Sequence, residues 1–364
     1  MSFSRELLKN YDVRNVHIAA IASHSALDVF DGARDEGFKT LAICERGREL
    51  PYVRFKGLVS EFVMVERFVD VVKEDVLDRL RAYNSILVPN RSFSVYVGYE
   101  NIEKAFRIPI FGNRYLLKWE ERVGEYSYYR LLDEAGIRRP KTFHDPDDID
   151  VPVIVKMPEA LRRVERGFFI ASDRDDYYRK VRMLKDRGII NEESLKKASI
   201  EELVIGAHFN VNYFRSVVRN DVELISIDRR IQSNLDGIIR IPAKEQLGLD
   251  QPVRYIEVGH EPATIRESLL NKLFRIADLF VGAVDRLVPP GLIGPFTLQL
   301  MVTPDLDVVV YDVAFRIGGG TNVYMGVGSQ YSKLYFGKPV SMGRRIAMEI
   351  KWCITEGCLD KVLT

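Results

Sequence analysis

The chain has 364 residues, 46% hydrophobic and 29% charged, enough to bury one large core or two to three packed units. A formal net charge of +1 gives no global field to draw nucleic acid, and no apolar run is long enough to span a bilayer or to form a signal-peptide core. The three cysteines, Cys44, Cys353 and Cys358, form no Cys-x-x-Cys pair and read as reduced thiols of a cytoplasmic protein.

Taken in order, strands are predicted at 16–22, 40–44, 85–88 and 108–111, and helices at 27–36, 69–83 and 93–106. Such alternation implies a parallel sheet covered on both faces, with ligands beyond the carboxyl ends of its strands at a topological switch point. Ser23-His24-Ser25 and Pro89-Asn90-Arg91-Ser92 fall at that edge. A helix is predicted over 116–135, stopped at Gly136 ahead of Pro140, and 144–152 (HDPDDIDVP) has the composition of a connector. Strands at 153–156 and 167–171 with a helix at 175–186 make a small unit suited to a lid. From Glu201 onward longer strands alternate with turns, followed by helices at 266–287 and 342–356, which suits an antiparallel sheet backed by helices.

Several residues in this layout carry chemistry. Lys156 closes a valine-rich strand, where its ammonium can neutralise phosphate oxygens. Gln299 and Asp312 lie thirteen positions apart in two apolar strands. A buried acid is costly unless it is paired or binds a metal, and oxygens on adjacent antiparallel strands can share magnesium, which usually spans substrate phosphates. Arg316 follows, ahead of Gly318-Gly319-Gly320-Thr321-Asn322, and its planar fork of donors suits the charge that develops as a terminal phosphate leaves. Together these describe a site for a nucleoside triphosphate. The common phosphate motifs are missing: no Gly-x-x-x-x-Gly-Lys-Ser/Thr, no Gly-x-Gly-x-x-Gly opening a helix after a strand, and no protein-kinase signatures.

What remains is the layout of the ATP-grasp enzymes, in which a small lysine-bearing domain closes over a larger one carrying the metal ligands. The resemblance is closer than that and runs over nearly the whole chain. Residues 18–37 (IAAIASHSALDVFDGARDEG), 87–98 (LVPNRSFSVYVG), 111–114 (FGNR), 226–244 (SIDRRIQSNLDGIIRIPAK), 289–296 (PPGLIGPF) and 341–350 (SMGRRIAMEI) resemble the archaeal PurP family, formate-dependent 5-formaminoimidazole-4-carboxamide ribonucleotide synthetases of purine biosynthesis. The resemblance implies an α/β ATP-grasp fold. It would comprise an N-terminal parallel-sheet domain (1–115), a linker helix with a small lid domain (116–205) and a C-terminal antiparallel-sheet domain (206–364). The implied reaction phosphorylates formate with ATP to formyl phosphate, which the amine of 5-aminoimidazole-4-carboxamide ribonucleotide attacks to give the formamide, ADP and phosphate.

By the same resemblance, Lys156 and Lys118 would hold ATP phosphates. Glu201, Glu202 and Val204, in the hinge-like 201–206 (EELVIG), would meet the adenine through the Val204 amide and the Glu202 carbonyl. His208 stands where many ATP-grasp proteins carry a ribose-binding glutamate. Gln299 and Asp312 would hold magnesium, with manganese as the other candidate, and Arg316 would be the catalytic cation. His24, Ser92 and Asn234 would bind the ribonucleotide, with Arg229, Arg230 and Arg240 adding charge. A homo-oligomer is expected, with small-molecule substrates and neither nucleic acid nor membrane as partners.

The chain departs from the family's pattern at 158–167 (PEALRRVERG), where a glycine-rich basic loop is usual. Arg162, Arg163 and Arg166 replace some of the charge, while Glu159 and Glu165 oppose phosphate. Asp312 stands in place of a glutamate, and Ala314 in place of a polar residue. Two alternatives stay open on these departures: a paralogue using another acid or amine, and a catalytically weak nucleotide-binding subunit.

Overall fold

A computed structural model describes residues 3–122, 124–156, 168–249 and 255–364. Its strands form three sheets. In the first, β1 (His17–Ile21), β2 (Lys39–Glu45), β3 (Glu61–Val65) and β4 (Ser85–Leu87) pair in parallel in the order β3-β2-β1-β4. Strands β1 and β4 are buried at every position, as in a sheet covered on both faces. Because β2 and β3 extend the sheet on one side of β1 and β4 on the other, the switch point lies between β1 and β4.

The second sheet holds β5 (Thr142–Phe143), β6 (Val153–Lys156), β7 (Phe168–Ala171) and β8 (Ser199–Glu202), antiparallel in the order β5-β8-β6-β7. Alternation along β6 sends Val153 and Val155 into a small core with Ile200, Tyr177 and Val181, leaving Ile154 and Lys156 on the other face. The third sheet is antiparallel. It contains β9 (Ala207–Ser216), β10 (Asp221–Asn234), β11 (Tyr255–Pro262), β12 (Gly294–Val302) and β13 (Val308–Ala314) in the order β11-β10-β9-β12-β13. Helix Leu270–Leu287 backs this sheet, packing Leu273, Ala277, Phe280 and Val284 in one core with Tyr213, Phe296 and Val310. No helix among the described residues is long and apolar enough to cross a membrane.

Helix Met342–Thr355 returns to pack on helix Ala26–Asp35 of the first sheet, so the core there draws on both ends of the chain. Glycine permits the close crossing: a Cβ on Gly32 would fall 2.0 Å from Arg344 N, and one on Gly343 would fall 1.8 Å from Asp28 O. Asp28 is fully buried at this crossing, and burial pushes its carboxyl up to about 7 against the pull of Ser341 and Gly343. A raised carboxyl pKa means that the folded chain keeps the proton while the unfolded chain loses it. Stability is therefore full below the ordinary aspartate value near 4 and declines as pH rises toward about 7. Asp28→Asn is expected to flatten the melting temperature between pH 5 and 8, which thermal denaturation across that range checks.

Four expectations change. The helix expected at 93–106 is two, Arg91–Val97 and Tyr99–Lys104, because Gly98 at φ 82 cannot continue the first. The linker helix expected over 116–135 does not form. A 3-10 turn at Leu117–Glu120 and a helix at Tyr128–Glu134 stand there, with Gly124 at φ 105 between them and Ser127 capping the second by accepting from Tyr129 N. The strand expected at 108–111 is reduced to single bridges, Leu87 with Ile110 and Phe111 with Leu363. Finally, β3 was not foreseen; its outer position beside β2 leaves it only partly buried, so its apolar signal is short.

Candidate active site

At the switch point Asn90 joins the two loops. Its amide donates to the carbonyls of Ile21 at 2.9 Å and Ser23 at 3.0 Å, and its Oδ1 accepts from Phe93 N at 3.1 Å. His24, next in that loop, is held at φ 52, a conformation non-glycine residues adopt where their surroundings impose it. Its Nδ1 lies 2.8 Å from Ser25 Oγ, which donates to Gly318 O at 2.7 Å. The first sheet is thus tied to the glycine run after β13. Ser92 is buried beside Arg91 on the neighbouring loop.

The glycine run lies against a polar cluster on the third sheet. Asp228, fully buried on β10, bonds Asn210 Nδ2, Asn212 Nδ2 and His260 Nδ1, each at 2.7 Å. His260 Nε2 is 2.9 Å from Glu257 Oε1, and Glu257 Oε2 pairs with Arg230 at 2.9 Å. Burial opposes a charged imidazole, but hydrogen bonds to Asp228 and Glu257 outweigh it and push His260 up to about 9. Burial likewise opposes the Glu257 carboxylate, and His260 with Arg230 prevails, bringing it down to about 2. A Cβ on Gly320 would fall 2.1 Å from the Asp228 carboxylate, so glycine is required there. Alternation along β10 puts Asp228, Arg230 and Gln232 on one face, with Gln232 paired to Glu257 and Asn234 to Tyr255.

Glu120 connects this region to the first sheet. Its buried carboxylate accepts from Phe315 N at 2.8 Å and lies 3.3 Å from Arg316 Nε and 3.5 Å from Arg91 Nη1. One acid therefore aims a cation from each sheet.

On the second sheet Lys156 Nζ lies 2.8 Å from Glu201 Oε2, which also accepts from Tyr129 OH at 2.9 Å, while Arg122 Nη1 is 3.6 Å from Oε1. Burial disfavours the Glu201 carboxylate, yet Arg122 and Lys156 hold it below the usual carboxylate range. Burial and then Arg122 lower Lys156, against the pull of Glu201. Asp312 acts electrostatically on both Arg122 and Lys156, so β13 and the second sheet face one another here.

Asp312 stands directly opposite Gln299 in the β12–β13 register. Gln299 is buried, and its Oε1 has no hydrogen-bond partner among the described residues. An orphaned buried oxygen opposite a carboxylate fits a divalent cation. No group of three or more His, Cys, Asp or Glu with metal-binding geometry occurs among the described residues. Gln299→Leu is expected to change stability by less than about 1.5 kcal/mol, since an apolar group of similar size replaces an unsatisfied one. The same variant should lose divalent-dependent turnover. Denaturant titration and turnover against cation concentration check the two halves separately.

Other expected residues land differently. Lys118 pairs with Glu103 at 3.2 Å and sits 4.0 Å above the Tyr126 ring, so the cation placed beside Lys156 and Glu201 is Arg122. The Val204 amide donates to the Glu202 carbonyl at 3.2 Å, joining the two atoms expected to read adenine to each other. The Glu202 side chain accepts from Lys141 N. His208 is exposed, its Nδ1 3.3 Å from Tyr311 OH. Of the three arginines expected to add charge, Arg230 turns into the cluster, whereas Arg229 pairs with Glu261 and Arg240 bonds the Asp236 carbonyl. The loop bearing Arg162, Arg163 and Arg166 lies outside the described residues. Sequence reasoning missed Glu120, Arg122, Asp228, Glu257 and His260. Asp228 had a signal, an acid closing the mostly apolar segment 224–227, much like the one that singled out Asp312.

The ADP complex of purK, an N5-carboxyaminoimidazole ribonucleotide synthetase, superposes with a TM-score of 0.60 at 12% identity, covering 90% of this chain and 78% of that one. The parallel sheet and the two antiparallel sheets are those of the ATP-grasp fold. Residues 18–143 match a family described as a protein of unknown function (DUF1246), and 176–364 match a domain of unknown function (DUF1297). The 5-formaminoimidazole-4-carboxamide-1-(beta)-D-ribofuranosyl 5'-monophosphate synthetase of Methanobrevibacter smithii is 44% identical over 360 residues, 99% of this chain and 97% of that protein. An IMP biosynthesis protein PurP from Thermococcus kodakaraensis superposes with a TM-score of 0.73 at 32% identity, covering 95% of this chain and 100% of that one. The chain belongs to the PurP family.

Proposed function

We propose that this protein is an ATP-grasp carbon–nitrogen ligase that formylates 5-aminoimidazole-4-carboxamide ribonucleotide at the expense of ATP and formate. The observation that supports the reading is a set of charged groups in two clusters tied together by long-range contacts. Lys156, Arg122 and Asp312 form the phosphate side, and His24, Arg91, Arg316 and Glu257 form the other, with Glu120 and the Ser25–Gly318 bond joining the sheets. In the reaction the terminal phosphoryl group passes to a formate oxygen. The amine nitrogen then bonds to the formyl carbon, the carbon–oxygen bond to phosphate breaks, phosphate leaves with that electron pair, and the nitrogen gives up a proton.

Lys156 and Arg122 neutralise phosphate oxygens, and Arg316, aimed by Glu120, meets the charge on the departing phosphate. Glu202, Val204 and His208 border the nucleoside end, where the Val204 amide must exchange the Glu202 carbonyl for the base. Gln299 and Asp312 would hold magnesium or manganese, which supplies charge neutralisation to the phosphates when bound. His24, Ser92 and Asn234 hold the ribonucleotide. Desolvation in the cleft, then Arg316 and Arg91, keeps the His24 imidazole neutral, so one ring nitrogen remains an acceptor. The free thiols of Cys44, Cys353 and Cys358 suit a cytoplasmic setting.

The test is ADP release with ATP, formate and the ribonucleotide together, compared with each omitted. Dependence on both partners is the expected result. Turnover with a different acid or amine, and none with these, would replace the reading with that of an altered paralogue.

A further inference from the structure

Among the charged groups around His24 are the cations Arg316, Arg91 and His260 and a carboxylate, Glu257. Cations have an evident use for a phosphorylated substrate and for formate. An anion in the same pocket repels both, and it recognises an N–H donor. Glu257 is moreover built into place. His260 Nε2 lies 2.9 Å from one of its oxygens, Arg230 lies 2.9 Å from the other, and His260 is itself anchored through Nδ1 on the fully buried Asp228 at 2.7 Å.

The space beside Glu257 is kept open on purpose by the backbone. Gly319 lies between Glu257 and His24, and a Cβ there would sit 3.2 Å from Glu257 Oε1 and 3.3 Å from His24 Nε2. Gly319 has φ −67 and ψ −35, which any residue adopts, so its lack of a side chain answers to the neighbouring space and not to the backbone. In the β10–β11 register Gln232 stands opposite Glu257 and Asn234 opposite Tyr255, so the partners of these two residues are two positions apart on β11. A ribonucleotide held by His24 and Asn234 therefore passes Glu257.

We propose that Glu257 is the residue that accepts a hydrogen bond from the nucleophilic amine of the ribonucleotide and so orients its lone pair, and that His260 is the positioning residue that fixes Glu257. This rests on the formylation reading above and assigns the group that selects an amine as the second substrate. Arginine-lined walls bind the phosphate and the acid; Glu257, offering acceptors only, distinguishes an amino group from an analogue that carries no hydrogen-bond donor at that position.

The experiment separates the two halves of the reaction. Acyl phosphate made from ATP and formate is trapped with hydroxylamine as the hydroxamate, which needs no ribonucleotide, while formamide production needs both. Glu257→Gln keeps the size of the side chain but presents a donor where an acceptor stood. It is expected to form hydroxamate within about twofold of the parent and to lose about 100-fold in kcat/KM for the ribonucleotide, the scale of removing one positioned polar group from a reacting centre. Gly319→Ala, whose backbone is unstrained, should show the same split and serves should Glu257→Gln fold poorly. His260→Gln should raise KM for the ribonucleotide with hydroxamate formation unchanged, a split that general loosening of the fold does not produce. Equal loss of both half-reactions in these variants, or unchanged formyl transfer in Glu257→Gln, overturns the assignment. A parent enzyme that gives neither hydroxamate from formate nor formamide from formate and the ribonucleotide overturns the formylation reading itself, and is recognised before any variant is made.

Discussion

Glu120→Ala is expected to destabilise the protein by about 3 to 5 kcal/mol, the scale of removing one partner from a buried ion pair. The side chain of Glu120 is 1% exposed and that of Arg316 is 9% exposed, so without the carboxylate the guanidinium is left as an uncompensated buried charge. The Phe315 amide loses its acceptor as well, the carboxylate oxygen at 2.8 Å. Arg91, about half exposed, regains water and suffers less. Turnover should fall further than stability predicts, because Glu120 sets the direction of Arg316 as well as neutralising it. Glu120→Gln keeps an acceptor for Phe315 and should be intermediate in stability while remaining poor in turnover. Urea denaturation alongside turnover checks this; equal activity in the glutamine variant would remove Arg316 orientation from the account.

Lys156→Ala is the second large effect, and its signature is the opposite: affinity lost with the fold retained. Glu201 keeps the Tyr129 hydroxyl at 2.9 Å and Arg122 at 3.6 Å, so its buried carboxylate is not abandoned. ATP loses a charge-assisted contact worth about 2 to 3 kcal/mol, roughly 30- to 150-fold in affinity. Glu201→Ala should do the reverse. It leaves Lys156 and Arg122 as like charges in a poorly solvated corner and should lower stability more than the lysine variant does. Calorimetric titration of ATP into both variants, with thermal denaturation, tests the pair; unchanged ATP affinity in Lys156→Ala would take that lysine out of the phosphate site.

Local physics explains which parts were legible in the chain itself. β1, β6, β12 and β13 are short, mostly apolar segments bounded by turns or polar residues, and their shortness with β-branched content marks them as strands. The strand-end Lys156, the Gln299 and Asp312 pair and the loops bearing His24 and Ser92 could be read for the same reason: strand alternation and parallel-sheet topology place side chains by rule. Asp28 and Asp312 were separable only by structure. Both are acids in apolar surroundings, yet one is enclosed at a helix crossing and the other stands opposite an orphaned amide oxygen. What tertiary structure alone decided are the partners across long sequence separations. Glu120 meets Arg316, Ser25 meets Gly318, and Glu257 meets Arg230 across a β-bulge that shifts the register at Ile231 and Gln232. A charged side chain has no periodic signature, and its partner is chosen by the packing of sheets separated by up to hundreds of residues. The same packing turned Lys118 toward Glu103 and Arg122 toward Glu201, on either side of the break between 120 and 128.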